Sequence, residues 1–110
     1  VSPTQRSLAW FRDRGWYCEV VERWVPGANI RRDLFGFADI LAVKGSELVL
    51  VQTTTEGVAE RVRKCLESPG FKVWTCAPGR LVVVHGWVKR ANGRRELREE
   101  WLTERPAGDR

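Results

Sequence analysis

No stretch of this chain approaches the ~18 consecutive apolar residues that a membrane-spanning helix needs. No charged-then-apolar leader opens it either, so the expectation is a cytoplasmic protein with no membrane partner. Cysteine is scarce: Cys18, Cys65 and Cys76 are an odd, scattered set without a Cys-x-x-Cys pair. That excludes a disulfide framework. A zinc set with the one histidine, His85, would need long, irregular spacings, and buried free thiols are the better reading. His85 also has no sequence partners that would make a nucleophilic triad. Internal repeats, linkers and low-complexity stretches are missing too, which leaves a single domain over residues 1–110, with 105–110 as a frayed tail.

What is present is a globular composition. Of the 110 residues 43% are apolar and 30% charged, enough for one modest core. Nineteen Lys and Arg stand against fourteen Asp and Glu, a net charge of +5. Such a balance suits a polyanion partner, and it is also common on soluble surfaces. Six tryptophans exceed what a core this small needs, so one or two are candidates for stacking on bases.

Local chemistry divides the chain. Ser2, Pro3 and Gln5 cap and start a helix that buries Leu8 and Phe11 and ends at Gly15. Residues 16–25 read as a strand, Pro26-Gly27-Ala28-Asn29 as a turn, and 30–36 as a loop. Residues 37–43 and 48–54 read as two strands, joined by a Gly45-Ser46 turn of type II′. Both are apolar on both faces, which places them mid-sheet. A helix over 56–67 carries a stripe of Val58, Ala59, Val62, Cys65 and Leu66, with Arg61, Arg63 and Lys64 outside it, and Pro69-Gly70 ends it. Residues 71–77 are ambiguous between a strand and a helical turn. Strands over 81–89 and 95–102 close on Asn92-Gly93 as a type I′ turn. The sum is a mixed α/β fold, a central sheet flanked by helices.

The Gly45-Ser46 turn sets a register in which Asp39 faces Gln52, with Thr54 projecting to the same side. A carboxylate at the end of an apolar sheet face must be paired, solvated or bound to a cation. Asp39, the Gln52 carbonyl and the Thr53 backbone carbonyl are hard oxygen donors of the kind Mg²⁺ takes, and Asp33 in the preceding loop is within reach. The competing reading is a structural Asp39–Gln52 hydrogen bond with Arg31 or Arg32 as counter-charge. Arg31 and Arg32, directly before Asp33, are candidates for phosphate contact. On the last hairpin, a type I′ turn pairs Lys89 with Glu96, Trp87 with Arg98 and His85 with Glu100. That face is expected to be exposed and charged, and Lys89 is a further candidate for gripping a phosphate backbone.

Asp39, a hairpin, and then Gln52-Thr53-Thr54 resemble the PD-(D/E)xK pattern of restriction-endonuclease-like nucleases. Within it, RRDLFGFADILAV, LVLVQTT and HGWVK resemble short phage-encoded members related to Holliday junction resolvases. The resemblance implies an αβββαβ core over about residues 2–102. It also implies an Mg²⁺- (or Mn²⁺-) dependent endodeoxyribonuclease acting on branched DNA as a homodimer in the host cell. Asp39, Asp33 and Gln52 would hold the metal, and Thr54 would complete the catalytic set. The departures are Ala38 for Pro, Gln52 for Glu or Asp, and Thr54 for the lysine that positions water and balances charge. The alternatives are a nuclease-fold protein that binds nucleic acid without cutting it, and a basic scaffold with no nucleic-acid role.

Overall fold

The computed structural model describes residues 1–108; the final two residues of the expected tail lie outside them. Helix α1 (Pro3–Asp13) starts as its sequence dictates: the Gln5 amide donates to Ser2 Oγ at 3.1 Å, with Pro3 at the first position. It ends where Gly15 takes φ 85° and Trp16 N–H returns to the Phe11 carbonyl. The chain continues through β1 (Tyr17–Val20), β2 (Arg23–Val25), β3 (Ile30–Arg32), β4 (Ile40–Lys44) and β5 (Glu47–Thr54). Then come α2 (Val58–Glu67), α3 (Pro69–Trp74), β6 (Arg80–Lys89) and β7 (Arg95–Trp101). Five strands form a mixed sheet in the order β1-β4-β5-β6-β7, with β5 and β6 parallel and the other pairs antiparallel. The expected α/β class holds, and β4 and β5 lie inside the sheet.

Two apolar layers sandwich the sheet. On one face Leu8 and Phe11 of α1 pack with Trp16, Ile40, Val49, Val51 and Val83. On the other, Val58 and Cys65 of α2 pack with Phe37, Leu50, Val82 and Val84. Gly86 is required for the second layer, because a Cβ there would meet Val58 Cγ2 at 2.5 Å. This close approach sets how α2 sits on β6. Cys18 and Cys65 lie in opposite layers and Cys76 is exposed, so the thiols do not assemble a zinc set. Burial pushes the Cys65 thiol up to about 12.

Several sequence expectations are corrected. The strand over 16–25 breaks at Val21-Glu22: the Val21 N–H bond to the Asp39 carbonyl at 2.8 Å is the last rung against β4, and the chain then leaves the sheet. The loop over 30–36 opens with a strand: β3 folds back on β2 about Pro26–Asn29 as a separate two-stranded ribbon. Helix α2 ends at Glu67, before Pro69-Gly70 as expected, but Pro69 also starts α3, which makes residues 71–74 of the ambiguous stretch helical. The tail is held through residue 107, whose amide donates to the Glu47 carboxylate at 2.9 and 3.0 Å, with Pro106 buried.

The last hairpin is also one residue out of the expected register. Gly93 alone in the loop takes positive φ (83°), and Arg90 N–H bonds Arg94 O, so the loop has three residues rather than two. Lys89 therefore faces Arg95, Trp87 faces Leu97 and His85 faces Glu99. The one-residue slip moves Glu96, Arg98 and Glu100 to the opposite face of the sheet and puts Arg95, Leu97 and Glu99 beside Lys89, Trp87 and His85, and α1 covers the Trp87–His85 end of that face. His85 is fully buried, stacked on Phe11 at 5.1 Å. Trp87 Nε1–H donates to Ser7 Oγ at 2.8 Å, so the Ser7 hydroxyl proton goes to His85 Nδ1 at 3.0 Å and His85 Nε2–H donates to Glu99 at 3.1 Å. Burial lowers the His85 pKa, in keeping with this neutral tautomer. The line Ser7–His85–Glu99 has the order of a nucleophilic triad, but Ser7 is fully buried and its oxygen already serves Trp87. Its role is structural. Ser7→Ala leaves two buried polar groups unpartnered and is expected to cost roughly 2–3 kcal/mol in urea unfolding. A loss below about half a kcal/mol would mean that water replaces the hydroxyl.

Candidate metal centre

Asp39 ends the turn that leads into β4. Its N–H bonds the Val51 carbonyl at 2.8 Å, and its own carbonyl takes Val21 N–H, so the backbone is held from both sides. The carboxylate lies at the end of the sheet, 5% exposed. Its Oδ2 accepts from Gln52 Nε2 at 2.6 Å, Thr53 N–H at 2.9 Å and Thr53 Oγ1 at 3.0 Å. The expected Asp39–Gln52 juxtaposition is therefore present.

Two further carboxylates converge there. One oxygen each from Glu22, Asp33 and Asp39 lies within 4.8 Å of the others. The β2–β3 ribbon explains this. Its register pairs Arg23 with Arg32, so Glu22 and Asp33 flank its base, one step below. Their side chains are 17% exposed each, which leaves the cluster open to solvent on the side away from Asp39. Burial pushes the Asp39 pKa up to about 7; the Thr53 amide opposes this, and the neighbouring Asp33 carboxylate adds to it.

Two cations face the cluster. Lys64 Nζ, from α2, donates to Asp33 Oδ2 at 2.9 Å, and Arg31 Nη1 pairs with Glu22 at 3.4 Å. An open cleft lies on each side. One, of about 560 Å³, is lined by Glu56, Gly57, Glu60, Arg61 and Lys64. The other, of about 290 Å³, includes Thr4, Gln5, Glu22 and Arg31.

The other expected residues are placed differently. Thr54 turns away, donating to the Glu56 carbonyl at 2.5 Å. Lys89 is five residues beyond Val84, the neighbour of Gln52, and so roughly 17 Å along the strand. Arg32 is exposed on the ribbon. Gln52 presents its nitrogen to Asp39, not its carbonyl, and the same Nε2 lies 3.4 Å from the Thr53 carbonyl. It acts as a donor to the carboxylate, while its buried Oε1 has no hydrogen-bond partner among the described residues.

Glu22 and Lys64 were not among the residues singled out from sequence. The turn signal at Pro26–Asn29 was the route to Glu22: a hairpin closed there pairs Val25 with Ile30 and brings Glu22 opposite Asp33. Lys64 was legible only as a residue beside the apolar stripe of α2, because its reach to Asp33 depends on how α2 docks at Gly86.

Three close carboxylates, two partly solvated and one buried, are hard oxygen donors and can hold a divalent cation. The like-charge crowding that raises Asp39, and the unpartnered buried oxygen of Gln52 beside it, fit a site that gains from a cation. Comparison of the chain with protein-family models, with curated proteins and with solved structures returns no match. Among the described residues no helix is long and apolar enough to cross a membrane.

Proposed function

We propose that the chain is a metal-dependent endodeoxyribonuclease of the PD-(D/E)xK type. The observation that carries this reading is a lysine ammonium 2.9 Å from one of three clustered carboxylates, at a sheet end where the sequence offers only Thr54. Lys64 restores from a helix the cation that position 54 lacks. The element order supports it as well: without the ribbon, the short helix α3 and β7, the remainder reads αβββαβ around four mixed strands.

Glu22, Asp33 and Asp39 would hold Mg²⁺ or Mn²⁺. When bound, the ion would polarise a phosphate and lower the pKa of a bound water. Lys64 balances the charge that accumulates on the phosphate and orients its oxygens. Arg31 contacts the phosphate at the cluster's open side. Thr53 and Gln52 fix the Asp39 carboxylate in one orientation through three hydrogen bonds. Branched DNA as substrate and a homodimer as the working form rest on the sequence resemblance.

A second reading has one observation in its favour: Thr54 stands where such nucleases carry lysine, which suits a nucleic-acid binder that does not cut. Labelled four-way junction, flap and linear duplex DNA, incubated with Mg²⁺ or Mn²⁺, separate the two. Cutting that requires the ion and disappears in Asp39→Ala is expected. Tight, salt-sensitive binding without cutting of any substrate would favour the second reading.

A further inference from the structure

The ribbon that brings Glu22 and Asp33 together has more surface than that task requires. Residues 23–32 hold three arginines and no acidic residue. Among the described residues its two strands pair only with each other, as a separate two-stranded sheet. Trp24 is 52% exposed and Ile30 48%, so neither contributes much to a core.

Alternation along the strands assigns its faces. Arg23, Val25, Ile30 and Arg32 share one, and Trp24 and Arg31 share the other. Extending that alternation puts Glu22 with Trp24, and Asp33 with Arg31, on the same side. The Arg31–Glu22 ion pair agrees with this. The Trp24–Arg31 face thus runs into the acid cluster, with Trp24 roughly 7 Å from Glu22 at strand rise.

Charge identifies the occupant. A second copy of this chain would oppose three arginines with three more, whereas a polyanion meets them with complementary charge. The indole narrows it further. In an intact duplex the base faces are covered by their neighbours, so an aromatic plane finds a free face only on an unpaired base.

We infer that the β2–β3 ribbon is a DNA-binding arm in which Trp24 stacks on an unpaired base while Arg31 holds the adjoining phosphate beside the acid cluster. The inference rests on the nucleic-acid reading of that cluster. Arg23 and Arg32, on the other face, take the neighbouring backbone. The arm makes the site selective for DNA whose strands part near the phosphate it engages.

The test is binding in Ca²⁺, read by anisotropy, to a duplex carrying a single-stranded flap and to the same duplex blunt. The parent is expected to prefer the flap by about 10-fold, from one stacked base. Trp24→Ala should lose that preference and Trp24→Phe keep most of it. Because Trp24 is exposed, the fold should survive both changes, which near-UV circular dichroism checks. A parent that binds both DNAs equally, or a Trp24→Ala protein that keeps the preference, overturns the inference. So does a Trp24→Ala change that dissociates a dimer and leaves DNA preference untouched, which would assign the ribbon to a second copy. Preference through Trp24 in a protein that cuts nothing in Mg²⁺ would retain the arm and end the nuclease reading. Cutting in Mg²⁺ with Trp24→Ala binding like the parent would do the reverse.

Discussion

Asp39→Asn is expected to stabilise the metal-free protein, and more so as pH rises. Asp39 has its carboxyl raised to about 7, chiefly by burial and then by the Asp33 carboxylate, against roughly 4 in an unfolded chain. Between those values the folded state holds the extra proton, so Asp39's contribution to stability is fully present below about pH 4 and is lost as pH rises through about 7. At pH 8 the parent carries a buried charge beside Asp33 that Asn removes, while the Asn oxygen still accepts from Thr53. The gain should be on the order of 2 kcal/mol at pH 8 and close to zero near pH 4. His85 runs the other way: with its folded pKa lowered, its contribution is full above about 6.5 and falls as pH drops. The difference between parent and Asp39→Asn cancels that background, and urea unfolding in EDTA at the two pH values measures it. Equal destabilisation at both would make Asp39 a structural acceptor for Gln52 and Thr53.

The second large effect is expected at Lys64. Lys64→Ala should lower the cleavage rate by about 100-fold or more, the size seen when one preorganised partner of transition-state charge is removed. It should also tighten Mg²⁺ binding, because Asp33 loses its ammonium partner and the cluster becomes more negative. The two readouts moving in opposite directions mark a role beyond counter-charge. Single-turnover cleavage and a metal titration on the same preparation supply them. A variant that cuts at the parental rate would remove Lys64 from the site and leave the charge on the phosphate to Arg31.

Local chemistry made much of this fold legible. Ser2, Pro3 and Gly15 delimit α1 as their backbone preferences require. Gly45, at φ 60°, sets the register that puts Asp39 against Gln52. The failures are equally local. Asn92-Gly93 reads as a two-residue loop, but only Gly93 takes positive φ, and the extra residue puts Glu99 instead of Glu100 opposite His85, whose own face is set by β5 and covered by α1. The turn at Pro26–Asn29 was recognised without the strand after it, which hid Glu22. A three-residue strand exposed on both sides carries no apolar alternation from which to read it. Lys64 is a different case: helical periodicity places it beside the stripe, and only the packing of Val58 on Gly86 decides which carboxylate it meets.

The most direct measurement is a calorimetric titration of the metal-free protein with Mn²⁺ at pH 8, beside Asp39→Asn and Glu22→Gln. A saturable site in the parent, lost in Asp39→Asn and at least several-fold weaker in Glu22→Gln, is the expected result for carboxylates that share one ion. A parent that takes up no Mn²⁺, or variants that bind it as the parent does, would contradict the metal centre and the hydrolytic chemistry built on it.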